Sequence, residues 1–457
     1  MILPGLLTGY LTLLMAGFGI ALLISKGERQ LNLLEYGCLS WLFGAGAVSL
    51  LLWVCGSFVA GAMLQTVVTV ACVGLLIVGW RTKQRRGAKF TFPLPQGVLE
   101  WLLTGLVTLE IATIFFVSFK NTLGWDGLLN WEIKARYAFM NGGLLPSFYY
   151  SNTGRSFSHP EYPLGIPYAE LWLYLWMGQA HQFWVKTIFP IFYGVGSILL
   201  ALFSARLSAQ RWSGLIVAAL VPFIPYLMVG PGGVIFAYAD FPLSVFYLAA
   251  LGYLLHSLDK HDASLWLYAA CIALLPWMKR EGLILWCVMA LLGLVSSMRR
   301  KNVRAFLWLL LPGLLVTASW RIYLALLNAV SPSDFSGLSF HTLHANRFFP
   351  ICDRLFAELT AIGHWSIFWL LAGAAMVYLV CRLHNMKSLM LAGAVLLPII
   401  LYCLTYLFSA WSSYTAHITA SLPRLLLHVV PVAWLTIGVA LPFARRQQNV
   451  VSSEQTS

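Results

Sequence analysis

About thirteen apolar stretches recur along this 457-residue chain, and they limit its possible folds more tightly than any motif does. They fall at 3–25, 38–58, 62–80, 97–119, 186–205, 212–229, 239–257, 264–278, 281–298, 305–327, 363–381, 388–409 and 425–443. An apolar run of about 18 residues or more reads as a membrane-spanning helix, because ~20 residues at 1.5 Å rise cross the hydrocarbon core. The expected fold is therefore an all-α polytopic membrane protein with about 13 transmembrane helices and juxtamembrane helices on the extracytoplasmic side. A soluble domain would be about 25% charged; this chain is 10% charged and 60% hydrophobic. The opening MILPG places no basic residue before the first run, so that run reads as a retained span rather than a cleavable signal.

The formal net charge of +13 does not indicate a nucleic-acid partner. The basic residues come in short clusters between apolar runs: Lys26 and Arg29; Arg81, Lys83, Arg85, Arg86 and Lys89; Arg206 and Arg211; Lys260; Arg299, Arg300, Lys301 and Arg304; Arg382 and Lys387; Arg445 and Arg446. Alternating spans put all of these on one face, which the positive-inside rule assigns to the cytoplasm. One segment decides the register. Leu164–Gly178 is apolar but only 15 residues long, with Pro167 and Glu170 inside it. Left uncounted, as a helix lying at or dipping into the membrane surface, it lets both halves of the chain agree on one orientation. The expected organisation is one transmembrane domain over 1–444, with outer loops at 120–165 and 328–360 and a cytoplasmic tail at 445–457. The eight cysteines contain no CxxC pair and read as small buried hydrophobes, with no disulfide framework or zinc site.

Against this background, Gly124–Gly165 stands apart. It gathers Asp126, Glu132, Lys134, Arg136, Arg155, His159 and Glu161 among aromatic residues such as Trp125, Tyr137 and Tyr162. Ionisable groups at membrane depth are costly and mark functional sites. On the same expected outer face lie Asp240, Lys279, Arg280, Glu281, Arg321, Arg347, Arg354 and Arg424, with His428 four residues beyond Arg424. Several cations on a membrane-embedded face suit a phosphate carried on a lipid. A nearby carboxylate suits general-base chemistry on a hydroxyl.

Each residue also has a purely structural alternative. Asp126 could cap a helix starting at Gly127 or serve as the base. Glu132 could be a second acid or the partner of Arg136 four residues on. Lys134 and Arg136 could bind phosphate or snorkel to an interface. Asp240 could cap its helix or contact a sugar hydroxyl, and His159, Glu161, Tyr162 and His428 could face substrate or fix loops. Lys279, Arg280, Arg347 and Arg424 could hold a lipid phosphate or anchor at the interface. Glu110, within the fourth run, could be packed and protonated or line a cavity. No metal-ligand pattern is evident.

The segments WDG (125–127), HPEYPLGIPYAELWLYLWMG (159–178), YADFPL (238–243), KREG (279–282) and PRLLLHVVP (423–431) together resemble the GT-C superfamily of integral-membrane glycosyltransferases, especially the branch with protein O-mannosyltransferases and the aminoarabinose transferase of lipid A. The proline element here begins His-Pro where the family has Lys-Pro-Pro. The resemblance implies transfer of a sugar from a polyprenyl-phosphate donor to an acceptor hydroxyl of a cell-envelope glycan, lipid or protein. It implies an inverting route with Asp126, or second Glu132, as base, at the outer face of a bacterial inner membrane. Two other functions compete: a lipid-linked glycan polymerase or ligase, and a transporter, which would favour internal repeats and midplane charges. Sugar, acceptor, divalent-metal requirement and oligomeric state have no signature in the sequence.

Overall fold

The computed structural model describes residues 2–25, 31–86, 90–259, 262–330, 334 and 340–441. Lys26, Arg29, Lys89, Lys260, most of 331–339 and the expected tail 445–457 lie outside them. Helix is the dominant element and no β-strand element occurs among the described residues. Four long helices open the chain: α1 (Ile2–Ile24), α2 (Leu33–Gly56), α3 (Gly61–Arg86) and α4 (Gly97–Lys120). The loop after α4 carries a π-helix (Gly127–Glu132) and four shorter helices: α5 (Ile133–Met140), α6 (Ser147–Ser151), α7 (Gly165–Met177) and α8 (Gln182–Val185). The bundle then continues through α9 (Ile188–Ser208), α10 (Arg211–Leu220), α11 (Pro225–Val229), α12 (Asp240–Ser257), α13 (Asp262–Met278), α14 (Gly282–Arg299) and α15 (Val303–Leu326). Two short helices, α16 (Phe348–Leu359) and α17 (Ile362–Trp365), lead to α18 (Phe368–Leu383), α19 (Met386–Thr405) and α20 (Tyr414–Leu427).

Among the described residues, eight helices are long and apolar enough to cross a membrane, or ten if each of two bent pairs counts as one span. The count of about thirteen is not confirmed by length and composition alone. The difference has a physical reason. Ser264–Met278 and Phe368–Arg382 are apolar but short, and α12 carries Asp240, His256 and Ser257 on a helix buried along its whole length. Helices wrapped by protein need neither the length nor the uniform apolarity that lipid imposes. The rim is different: α3, α4 and α15 expose large apolar side chains such as Val70, Leu109 and Trp308.

Close packing of α1 depends on glycine. A Cβ at Gly17 would fall 1.8 Å from the Ser40 carbonyl oxygen, and one at Gly44 would fall 2.3 Å from that of Leu13. Small residues at these crossings let helix backbones approach closely, as packing within lipid requires. Helix α7 has 13 residues, short of a span as expected. It is buried against α1, α2 and α5. Gly178 ends it in the left-handed conformation at φ 70°, with its N–H donating to Tyr174 O.

The far end of the bundle is tied by a buried ion pair. Arg206 at the end of α9 donates to both carboxylate oxygens of Glu35 on α2, at 3.1 and 2.5 Å, and Tyr253 on α12 donates to Glu35 at 3.0 Å. Not all cysteines follow the expectation of burial: Cys38, Cys72 and Cys271 are buried, whereas Cys287, Cys352 and Cys381 are exposed. Glu110 is half-buried, and its Oε2 has no hydrogen-bond partner among the described residues.

Candidate active site

The loop after α4 turns back at Gly124, whose N–H donates to Phe236 O at 3.0 Å. A Cβ at Gly127 would sit 2.7 Å from the same carbonyl oxygen, so the backbone approach itself requires glycine after Asp126. The chain then winds as a π-helix, a rare wide turn frequent at functional sites. Asp126 precedes this turn but its carboxylate makes no capping bond. Instead Asp126 Oδ2 lies 2.7 Å from Arg424 Nη2.

Arg424 belongs to α20, and the same Nη2 lies 3.1 Å from Asp240 Oδ2. Asp240 is the first residue of α12 and fully buried. Its Oδ1 accepts from Lys279 Nζ at 2.7 Å and pairs with His428 Nε2 at 3.1 Å. His428 Nδ1 in turn meets the Tyr402 hydroxyl at 3.0 Å. A buried carboxylate is tolerated only when paired and hydrogen-bonded, and here Arg424 and His428 from α20 and Lys279 from the α13–α14 turn achieve that.

The reversal between α13 and α14 supplies the next charges. A Cβ at Gly282 would meet Leu275 O at 1.9 Å, so only glycine closes this turn. Lys279 faces Asp240. Arg280 lies 3.5 Å from Glu161 and 3.2 Å from Asp334, with its guanidinium 4.9 Å from the Tyr162 ring centre. Glu281 is 3.5 Å from Lys279. Burial alone would raise the Glu281 pKa, but Lys279 and Arg280 outweigh it and hold the carboxyl down to about 2. Burial would weaken the charge on Arg280, yet its acidic neighbours keep it raised above the usual value.

These groups surround a cavity of about 730 Å³. Asp126, His159, Tyr162, Lys279, Arg280 and Arg424 line it. Asp240 and Glu161 stand behind that wall as partners of lining cations, Glu161 also lying 3.4 Å from His159 Nδ1, and His428 stands behind Asp240. Three buried polar atoms around the cavity have no hydrogen-bond partner among the described residues: Arg424 Nε, Glu161 Oε2 and Glu281 Oε2. No group of three or more His, Cys, Asp or Glu suited to a metal ion occurs among the described residues.

No family model matches the chain, and no curated protein matches it. Among solved structures the chain is similar to one described as ArnT from Cupriavidus metallidurans bound to undecaprenyl phosphate. The identity is 16%, over 76% of this chain and 61% of that one, with a TM-score of 0.48. The chain thus spans about 61% of the length of the structure it matches.

Other expected site residues sit elsewhere. Glu132 is buried on the α7 side, where its Oε1 accepts from Arg136 at 2.7 Å and from Tyr174 at 2.6 Å. Lys134 is fully buried, donating to Asn130 Oδ1 and His159 O, each at 2.8 Å. Burial lowers its pKa to about 7 despite the opposing pull of Glu161 and Asp126. It therefore braces the loop behind Tyr162 rather than lining the cavity. Arg347 donates to Ser409 O at 2.9 Å and lies over the Tyr414 ring at 4.7 Å, away from the cavity.

Asn130, Asp334, Trp411, His417 and Ser421 line the cavity without having been singled out. A signal existed for two of them: His417, Ser421, Arg424 and His428 are spaced four, three and four apart, one face of α20. Asp334 had none, since SPSDFSG reads only as a turn.

Proposed function

We propose that this protein is a membrane glycosyltransferase that moves a sugar from a polyprenyl-phosphate donor to an acceptor hydroxyl at the Asp126 end of the bundle. The observation that carries this reading is the pairing of Asp126 with Arg424 at the wall of a cavity that also presents Arg280 and Arg321. Asp126 takes the proton of the acceptor hydroxyl, the acceptor oxygen attacks the anomeric carbon, and the bond from that carbon to the phosphate oxygen breaks. The sugar carbon is inverted and the lipid phosphate leaves as the anion. Arg424, Arg280 and Arg321 hold that anion, because the guanidinium fork suits phosphate oxygens. Lys279, committed to Asp240, positions rather than binds.

Three further features support this assignment. The unpartnered Arg424 Nε suits a phosphate oxygen, and the unpartnered oxygen of Glu281, on the cavity wall, suits a sugar hydroxyl. Trp411, 41% exposed on the cavity lining, suits stacking on a sugar ring. The clustered cations at the far ends of the helices, including Arg206, Arg299, Arg300 and Lys387, suit a cytoplasmic surface, which would turn the cavity towards the periplasm of a bacterial inner membrane and its envelope glycans.

The test is transfer of labelled sugar from a polyprenyl-phosphate donor by protein in proteoliposomes, compared between wild type and Asp126→Asn. A positioned general base contributes about 10²–10⁴-fold, and a loss of that size with unchanged melting temperature is expected. Turnover by Asp126→Asn equal to wild type would remove Asp126 from this role. No transfer by wild type from any polyprenyl-phosphate sugar would remove the reaction itself.

A further inference from the structure

At the end of the bundle away from Asp240, helices α12, α14 and α19 enclose a second cavity of about 440 Å³. Leu258, Ser296, Arg299, Arg300, Met386 and Lys387 contribute to its walls. Its three cations are held differently. Arg300 donates from Nη2 to the Ser257 carbonyl, which fixes the guanidinium across the end of α12. Lys387 Nζ lies 2.7 Å from Asp259 Oδ1, in an exposed pair. Arg299 is exposed, and among the described residues its side chain has no hydrogen-bond or ion-pair partner. Among the described residues that form its walls, three are cations and none is a carboxylate.

An apolar stripe leads into this basic end. Leu291, Val295 and Met298 of α14 are 49%, 40% and 61% exposed. Their spacing of four and three places them on one face of a helix long and apolar enough to cross a membrane. A free anion would use the cations and ignore the stripe. A molecule with a phosphate head and acyl chains would use both.

We propose that this second cavity binds the headgroup of an anionic phospholipid, its phosphate against Arg299 and Arg300 and its acyl chains along Leu291, Val295 and Met298. Basic pockets between transmembrane helices are suited to such headgroups, and a guanidinium fork matches two phosphate oxygens at once. Asp259 keeps Lys387 partly neutralised, so the headgroup sits on the Arg299 side. The site is independent of the reaction assigned to the Asp126 cavity.

The experiment uses the purified full chain in detergent with three probes: phosphatidylglycerol, phosphatidylcholine of the same acyl chains, and inorganic phosphate. Binding is read by native mass spectrometry and by thermal shift. Phosphatidylglycerol should bind and stabilise more than phosphatidylcholine, and inorganic phosphate at the same concentration should do neither. Arg299→Gln should weaken phosphatidylglycerol binding about 5-fold, and Arg299→Gln with Lys387→Gln about 30-fold. Lys301→Gln, outside the cavity wall, should leave it unchanged. Equal binding of the two lipids, or an unaltered affinity in the double variant, would overturn the proposal. Stabilisation by inorganic phosphate matching that by phosphatidylglycerol would overturn the lipid in favour of a free-anion site.

Discussion

Arg424 Nη2 lies 2.7 Å from Asp126 Oδ2 while also lying 3.1 Å from Asp240, so one guanidinium nitrogen joins an acid at the cavity wall to an acid sealed behind it. Removing Arg424 therefore touches both. Asp240 keeps Lys279 and His428, so Arg424→Ala should fold with a lowered melting temperature. Loss of a charged hydrogen-bond partner of the lipid phosphate costs about 1.5–3 kcal/mol, which predicts a 10- to 100-fold weaker affinity for polyprenyl phosphate in a direct binding assay. Arg347→Ala, whose guanidinium serves Ser409 and Tyr414 instead, should bind polyprenyl phosphate as wild type does.

Glu132→Gln separates stability from chemistry. Glu132 is buried between Arg136 and Tyr174, so the change weakens a partly buried ion pair; since Arg136 is one-third exposed, the expected cost is nearer 1–2 kcal/mol than the 3–5 of a fully buried pair. The melting temperature should fall, while turnover per folded molecule should stay within a few-fold of wild type. Turnover at the level of Asp126→Asn would make Glu132 the base instead.

Lys134 gives the fold an alkaline signature. Its folded pKa, near 7, is depressed below its ordinary 10.5, so between these values the unfolded chain binds more protons than the folded one. Stability from this group rises as pH climbs from about 7 towards 10.5. Lys134→Met should flatten that rise in melting temperature relative to wild type.

Glu281 acts on the acid side. With its carboxyl held at about 2 in the fold against an ordinary 4.5, its contribution is present above 4.5 and is lost as pH falls from there towards 2. In a series of thermal melts, Glu281→Gln should show a shallower loss over that window than wild type.

Glu170 predicts the opposite sign. It is fully buried in α7, neither carboxylate oxygen has a hydrogen-bond partner among the described residues, and burial followed by Glu132 pushes its pKa well above the usual range. Holding this acid protonated costs more stability as pH rises above its ordinary 4.5. Glu170→Gln removes that cost, so at pH 7 it should melt no lower than wild type, with a margin that grows with pH.

The membrane class, the helical fold and the charged loop after α4 could be read from the residues because lipid penalises charge, and every exception to apolarity stands out. Asp126, Asp240, Lys279, Arg280 and Arg424 were visible on that ground. Which way a charge faces was not. Spacing alone pairs Glu132 with Arg136, as the structure does, but the π-helix and the burial of α7 decide that the pair lies away from the cavity. The count of about thirteen spans is not confirmed for a related reason: composition cannot tell a helix wrapped by lipid from one wrapped by protein, and α12 is of the second kind.

The Glu35–Arg206–Tyr253 tie has a mechanical consequence. It fastens α12 at Tyr253, towards the end opposite Asp240, and the 13 residue steps between them (253 − 240) at 1.5 Å make a lever arm of about 20 Å. Any tilt of α12 then pivots at Tyr253 and is magnified at the other end: ~3° displaces Asp240 by roughly 1 Å on that arm. A shift of this size is enough to break a 3.1 Å contact to Arg424. Small strains at the fastened end would thus be read out as the making or breaking of the bond that Asp126 and Asp240 share.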